Sequence, residues 1–261
     1  PKFFAIAWRE ALEIFKTPVY LYNIGAIGFL MPIILGVSMY PSMSEENTRD
    51  AAMRFFLSFA STFYAQPWIR AGFWMAVGIL IGLFMGGIGQ PATTSLTREG
   101  KRVWLVKTLP FTTQDQIHGR LTCSFAFGLL ATAPSLTLVF ILLKATLTDV
   151  LIGIGTVLIC IIFTGTLGLL IDAIHPNFNL VSPQHAIKRS FNLGMMTIGI
   201  LLLLAGMGFG GYKLIEMEIL TLSEIPILLI GFLALLSVIS AVLYFSVRRV
   251  WTARLIGYNE G

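Results

Sequence analysis

Six stretches of this chain run for about twenty residues with almost no charge: 19–40, 71–89, 121–143, 150–171, 193–215 and 225–247. Only Lys213, near the end of the fifth, interrupts the pattern. About twenty apolar residues in a helix cross the hydrocarbon of a bilayer. Because lipid offers the backbone no hydrogen-bond partners, such segments must satisfy their amides internally, as helices do. Composition agrees: 56% of the residues are hydrophobic and only 12% charged, where soluble domains carry roughly 25%. The expected fold is therefore all-α, a polytopic membrane protein with six transmembrane helices forming a single transmembrane domain over 1–261.

The polar remainder organises these spans. Residues 3–16 read as an amphipathic helix, with Phe3, Phe4, Ala7, Trp8, Ala11, Ile14 and Phe15 on one face and Arg9, Glu13 and Lys16 on the other. Too polar to span, it suits the interface plane; a surface helix of a soluble fold is the bland alternative. Thr17 and Pro18 supply a cap and a first-turn proline for the span at 19–40, and Pro32 predicts a kink in it. The interval 41–70 is polar, with a short surface helix expected over 51–64. In the second span, Gly78, Gly82 and Gly86 recur every four residues. That spacing is either a face for close helix packing or a chance feature of a glycine-rich helix. Two loops, 90–120 and 172–192, remain on one side of the membrane.

The basic residues set the orientation. Placing the N-terminus in the cytosol puts 13 lysines and arginines inside and 5 outside, which favours both termini inside. The net charge of +5 then serves topology and anionic headgroups, and no nucleic-acid partner is expected. Cys123 and Cys160 lie inside apolar runs and read as packing residues. The chain begins at Pro1 without a methionine, so it is expected to be a processed or excised piece of a longer protein.

Catalytic signatures are scarce. The sequence contains no phosphate-loop, zinc-pair or nucleophile-elbow motif. Asp172 and His175 share a helix face at the end of the fourth span. With His185 they make a possible metal set, against the reading of an ordinary polar helix end at headgroup level. No metal is assigned. The spans lack the mid-membrane carboxylates and histidines of ion-driven pumps. Energy for any transport is then expected to come from a cytosolic partner.

The stretch 97–120, TREGKRVWLVKTLPFTTQDQIHGR, is the densest basic segment, carrying Arg98, Lys101, Arg102, Lys107 and Arg120 against Glu99 and Asp115. Thr97-Arg98-Glu99-Gly100-Lys101 followed by Trp104-Leu105-Val106-Lys107-Thr108-Leu109-Pro110 resembles the permease subunits of type-2 ATP-binding cassette (ABC) exporters, in a bacterial subgroup. Asp172, Pro176, Asn179, Pro183, Ala186, Lys188 and Asn192 in the second loop are similar to the same subgroup, as is the opening REALEIFKTPVYLYN. His175 and His185 depart from its pattern, standing where a basic and an acidic residue are expected.

The resemblance implies a C-terminal permease half that exports an unknown substrate and sits as a multi-pass protein in the bacterial cytoplasmic membrane. It implies no cofactor in this chain, ATP and magnesium belonging to a separate ABC ATPase subunit. Further implied partners are a second permease half or a second copy, and membrane lipids. The ATPase-coupling interface falls on Arg98, Glu99, Gly100, Lys101, Arg102, Trp104, Lys107, Leu109 and Pro110. The second loop contributes Asp172, His175, Pro176, Asn179, Lys188 and Arg189. The charges are of a kind to pair with acidic groups, while Trp104, Leu105 and Leu109 give an apolar anchor; alternatively, they only enforce topology. A metal-dependent membrane enzyme using Asp172, His175 and His185, and a passive membrane scaffold, are the competing functions.

Overall fold

The structure is a computed structural model. It describes residues 2–18, 66–87, 90–100, 108, 110–177, 191–219, 221 and 223–257, the last four by backbone alone. Among the described residues all regular structure is helical. The helices are α1 (Lys2–Lys16), α2 (Pro67–Gly87), α3 (Ser95–Glu99), α4 (Thr113–Leu142), α5 (Leu147–Ile174), α6 (Phe191–Glu216) and α7 (Ile225–Gly257), with a 3-10 turn at Pro91–Thr94. Five helical segments are long and apolar enough to cross a membrane: α2 with its continuation, and α4 to α7. The expected span at 19–40 and the surface helix at 51–64 lie outside the described residues.

α5 is the central helix. Its residues enter three of the four apolar clusters: with α2, α6 and α7 around Cys160 and Phe163, with α2 and α4 around Val157 and Ile161, and with α3, α4 and α7 around Leu169. The glycine spacing in α2 is a packing face. A Cβ at Gly78 would stand 2.8 Å from Thr156 Cβ, and one at Gly82 would stand 2.7 Å from Cys160 Cβ. Hydrogen in place of a side chain lets α2 and α5 meet backbone to backbone. Both cysteines are free and buried, as packing residues would be.

Burial is graded across the bundle. α6 is exposed along Ile198, Leu201, Leu202 and Phe209, and α7 along Leu235, Val238 and Val242. These outward side chains are apolar, which suits hydrocarbon rather than water. At one end of the bundle Arg70 pairs with Asp149 (Nε–Oδ1 2.9 Å), and the Trp68 indole donates to the Ser223 carbonyl at 2.9 Å. These contacts tie α2 to α5 and to the α6–α7 connection.

The opposite end differs from the sequence reading in three ways. Of the loop expected over 90–120, most of the described residues are helical, in the 3-10 turn, α3 and the first two turns of α4. α4 starts at Thr113 because Thr112 and Asp115 form a reciprocal cap, with Asp115 N–H donating to Thr112 Oγ1 at 3.1 Å and Thr112 N–H donating to Asp115 Oδ2 at 3.2 Å. α7 continues ten residues past 247, held by Val247 and Trp251, both 1% exposed.

The third difference concerns α1. It forms as expected, but Ile6, Ala7, Glu10 and Ile14 make its buried face, while Phe4, Trp8 and Phe15 point outward. The inward face meets α4 closely, since a Cβ on Gly119 would stand 2.6 Å from Ile6 Cβ. Of the apolar face expected from the sequence, Phe4, Trp8 and Phe15 stay outward while Ala7 and Ile14 pack inward. The packed face runs through the position that carries a carboxylate, because three cationic or polar elements converge there.

Candidate functional site

That convergence is a buried ionic cluster where α1, α3 and α4 meet. Glu10 on α1 is 1% exposed. It accepts from Arg98 Nη2 of α3 at 2.6 Å and pairs with Arg120 Nη1 of α4 at 2.7 Å. Glu99 accepts from Arg120 Nη2 at 2.7 Å and also pairs with Arg9. Arg120 further donates to the Ser95 carbonyl at 2.6 Å, and its guanidinium lies 5.2 Å from the centre of the Trp251 ring. Trp251 in turn reaches Gln116 Oε1 at 3.4 Å, so α7 closes the cluster from its other side.

Asp172, near the end of α5, extends the polar core. It is fully buried and accepts from the backbone N–H groups of Leu96 and Thr97, from the Thr97 hydroxyl, and from Asn192 Nδ2 at 3.1 Å. Asn192 also donates to the His175 carbonyl at 3.0 Å, and Asn177 N–H donates to Thr97 Oγ1 at 3.2 Å. Three guanidinia (Arg9, Arg98, Arg120) therefore share the region with three carboxylates (Glu10, Glu99, Asp172). Buried charges persist only when paired and hydrogen-bonded in this way.

Deeper along the same interface runs an uncharged polar chain. Ser124 donates to Gln90 Oε1 at 2.7 Å and accepts from Ala92 N–H at 2.9 Å, while Gln90 Nε2 donates to Thr164 Oγ1 at 3.2 Å. Gln90 stands where α2 has ended, so these bonds satisfy backbone and side-chain groups at a break that the bundle encloses.

Glu13, half-buried on α1, stands at the edge of the cluster. Burial pushes its carboxyl above the usual range, Glu10 and Glu99 push it further, and Arg98 and Arg9 oppose the rise.

The residues singled out in the sequence fall into separate groups. Arg98 and Glu99 are internal, and their side chains hold α3 to α1 and α4. Gly100 ends α3 with φ 50° and ψ −130°, a conformation that a side chain strains, which accounts for glycine there. Pro110 is exposed. Lys101, Arg102, Trp104, Lys107 and Leu109 lie outside the described residues, as do Asn179, His185, Lys188 and Arg189. Asp172 belongs to the buried core, not to the surface of the second loop. His175 caps α5, is exposed and turns its ring edge-on to Phe191; Pro176 follows it, half-buried.

Among the described residues no three His, Cys, Asp or Glu side chains stand together as metal ligands. Asp172 spends its oxygens on Leu96, Thr97 and Asn192, which leaves the metal reading without its acidic ligand.

Glu10, Arg120, Thr97, Asn192, Gln90 and Trp251 carry the cluster without having been singled out as a site. Glu10 alone had a legible signal: it interrupts the Ile6–Ala7–Ile14 stripe at helical spacing, where a lone carboxylate needs a buried cation. No family model matches this chain, and no curated protein or solved structure matches it significantly.

Proposed function

We propose that the chain is the membrane-spanning permease subunit of an ATP-driven exporter, moved by a separate ATPase that docks on the segment 101–110. In this reading there are six spans, with 19–40 as the first, and both termini are cytosolic. α1 lies along the membrane surface with Phe4, Trp8 and Phe15 toward lipid.

The observation that carries the proposal is the anchorage of the docking segment. It leaves α3 at Gly100, and α3 is fastened on every side: to α1 through Arg98–Glu10, to α4 through Glu99–Arg120, and to α5 through Thr97–Asp172. A displacement imposed on 101–110 is passed to three helices, because packed and ion-paired elements shift as units rather than deforming continuously. Arg98 and Glu99 are then holding residues, and docking falls to Lys101, Arg102, Trp104, Lys107 and Leu109. The long helices carry no charged residue at mid-membrane, which fits a protein whose power source lies outside the bilayer.

Co-purification with a co-expressed ABC ATPase subunit from the same organism, compared between the unaltered chain and Lys101→Glu/Trp104→Ala, tests the dock. Loss of association in the variant alone is expected. Undiminished association would remove this segment from the role, and no association in either chain would remove the exporter reading.

A further inference from the structure

The end of α7 carries a basic groove that the ionic cluster does not use. α7 is uncharged from Ile225 to Val247, and at 1.5 Å per residue that run is long enough to cross the roughly 30 Å of bilayer hydrocarbon. Arg248 and Arg249 are the first charges beyond it, about one turn past Phe245. The helix is two-sided here. Val247 and Trp251 face the bundle, while Phe245, Arg248, Arg249, Thr252 and Ala253 line an open concavity of about 600 Å³.

The two stand apart from the other described arginines in their pairing. Arg9, Arg70, Arg98 and Arg120 each have a carboxylate partner. Among the described residues neither Arg248 nor Arg249 does, and no carboxylate lines the groove. Arg248 is nevertheless held in place: with its amide oxygen facing α7, Gln114 accepts from both Nη atoms, at 3.2 and 3.1 Å. A guanidinium fixed by a neutral partner keeps its full charge for a ligand.

We propose that this groove binds the headgroup of an anionic phospholipid from the adjoining leaflet, the phosphate against Arg248 and Arg249 and the upper acyl chain along Phe245. Guanidinium groups match phosphate oxygens in shape and charge, and basic pockets at the headgroup level select anionic lipids. A phosphatidylcholine presents the same phosphate but brings an ammonium that the arginines repel. A free phosphate satisfies the arginines and makes no use of Phe245, whose ring is 60% exposed at hydrocarbon depth. The inference is independent of the exporter reading, requiring only that α7 spans the membrane.

Native mass spectrometry of the full chain in detergent, titrated with phosphatidylglycerol, phosphatidylcholine or inorganic phosphate, decides it. The unaltered chain should bind one phosphatidylglycerol more tightly than any phosphatidylcholine. In R248Q/R249Q the apparent Kd for that lipid should weaken roughly thirty-fold, the effect of removing two interfacial cations. Phe245→Ala should weaken it with both arginines present, and Lys2→Gln/Lys16→Gln should leave it unchanged.

Wild-type affinity in R248Q/R249Q would overturn the proposal. Equal weakening in the lysine variant would do the same by showing diffuse charge attraction. Equally tight phosphatidylcholine, or phosphate competing fully while Phe245→Ala binds as the unaltered chain does, would also end it, the last by revealing a free-anion site. Should the double variant fail to fold, Arg249→Gln and Phe245→Ala carry the decision: normal phosphatidylglycerol affinity in both refutes the site.

Discussion

Glu10 is the residue on which this end of the bundle, where α1, α3 and α4 meet, most depends. Its carboxylate serves Arg98 and Arg120 together, and both guanidinia are almost wholly buried. Removing one partner of a buried ion pair costs about 3–5 kcal/mol, because the cation left behind stays desolvated. Glu10→Ala should therefore lower the unfolding midpoint of the purified protein markedly. It should also expose Cys123, which α1 covers through Ala7 and Ile14, to maleimide labelling. An unchanged midpoint with Cys123 still protected would show that the cluster is not what holds α1.

Glu13 gives the opposite pH signature to an ordinary ion-paired carboxylate. Its folded-state pKa lies above the unfolded one, so its contribution favours docking of α1 while the carboxyl is protonated. That contribution is lost as pH rises through the raised pKa. Glu13→Gln should therefore stabilise the protein above the usual carboxylate range and make little difference at acid pH. Unfolding midpoints recorded from pH 4 to 8 would check this, and a variant that gains nothing at neutral pH would contradict it.

α2 and α5 are the closest-packed pair of long helices. The glycine stripe sets their separation, and a Cβ at Gly82 would meet both Cys160 Cβ and the Val157 backbone. Overpacking of this kind costs about 1–3 kcal/mol, more where backbone must retreat. Gly82→Val should accordingly lower the midpoint, whereas Gly155→Ala on α5, with nothing within 4 Å of the added carbon, should not. Because alanine favours a helix over glycine, a loss in Gly155→Ala as large as that in Gly82→Val would mean that close packing against α5 is not what sets the cost. The same pair of helices explains why α5 is central: small residues on α2 let it approach, and α6 and α7 then pack around the joint surface.

Across the whole chain, the two ends of the bundle have different chemistry. One carries Arg70–Asp149 and the acidic connection before α7; the other holds the ionic cluster and the basic groove. The lysine and arginine bias predicts that the second end is cytosolic. Single cysteines at Lys16→Cys and Lys144→Cys, in a Cys123→Ala/Cys160→Ala background, would report it. An impermeant maleimide should reach position 144 in intact cells and position 16 only after lysis. The reverse pattern would invert the topology and with it the leaflet that supplies the α7 groove.

Hydropathy is a local property, so the long apolar helices could be read residue by residue. Helix ends signalled by short-range chemistry, such as the Thr112–Asp115 cap, were legible in principle but were overridden by the charge density around them. The glycine spacing was visible too, although only its neighbours on α5 make it a contact. The destination of the charges was not legible. Arg98 and Glu99 sit in the same basic stretch as Lys101 and Arg102, and nothing in their spacing says that two turn inward.

That choice depends on Glu10, nearly ninety positions earlier, on Arg120 two turns into α4, and on Asp172 at the end of α5, all arriving at one point. Sequence alone settled that the chain is helical and built for lipid, since burying twenty uncharged residues in hydrocarbon is an energy summed along the chain. Tertiary structure decided which charges hold the molecule together, because pairing energy depends on distances between segments that the chain order does not contain.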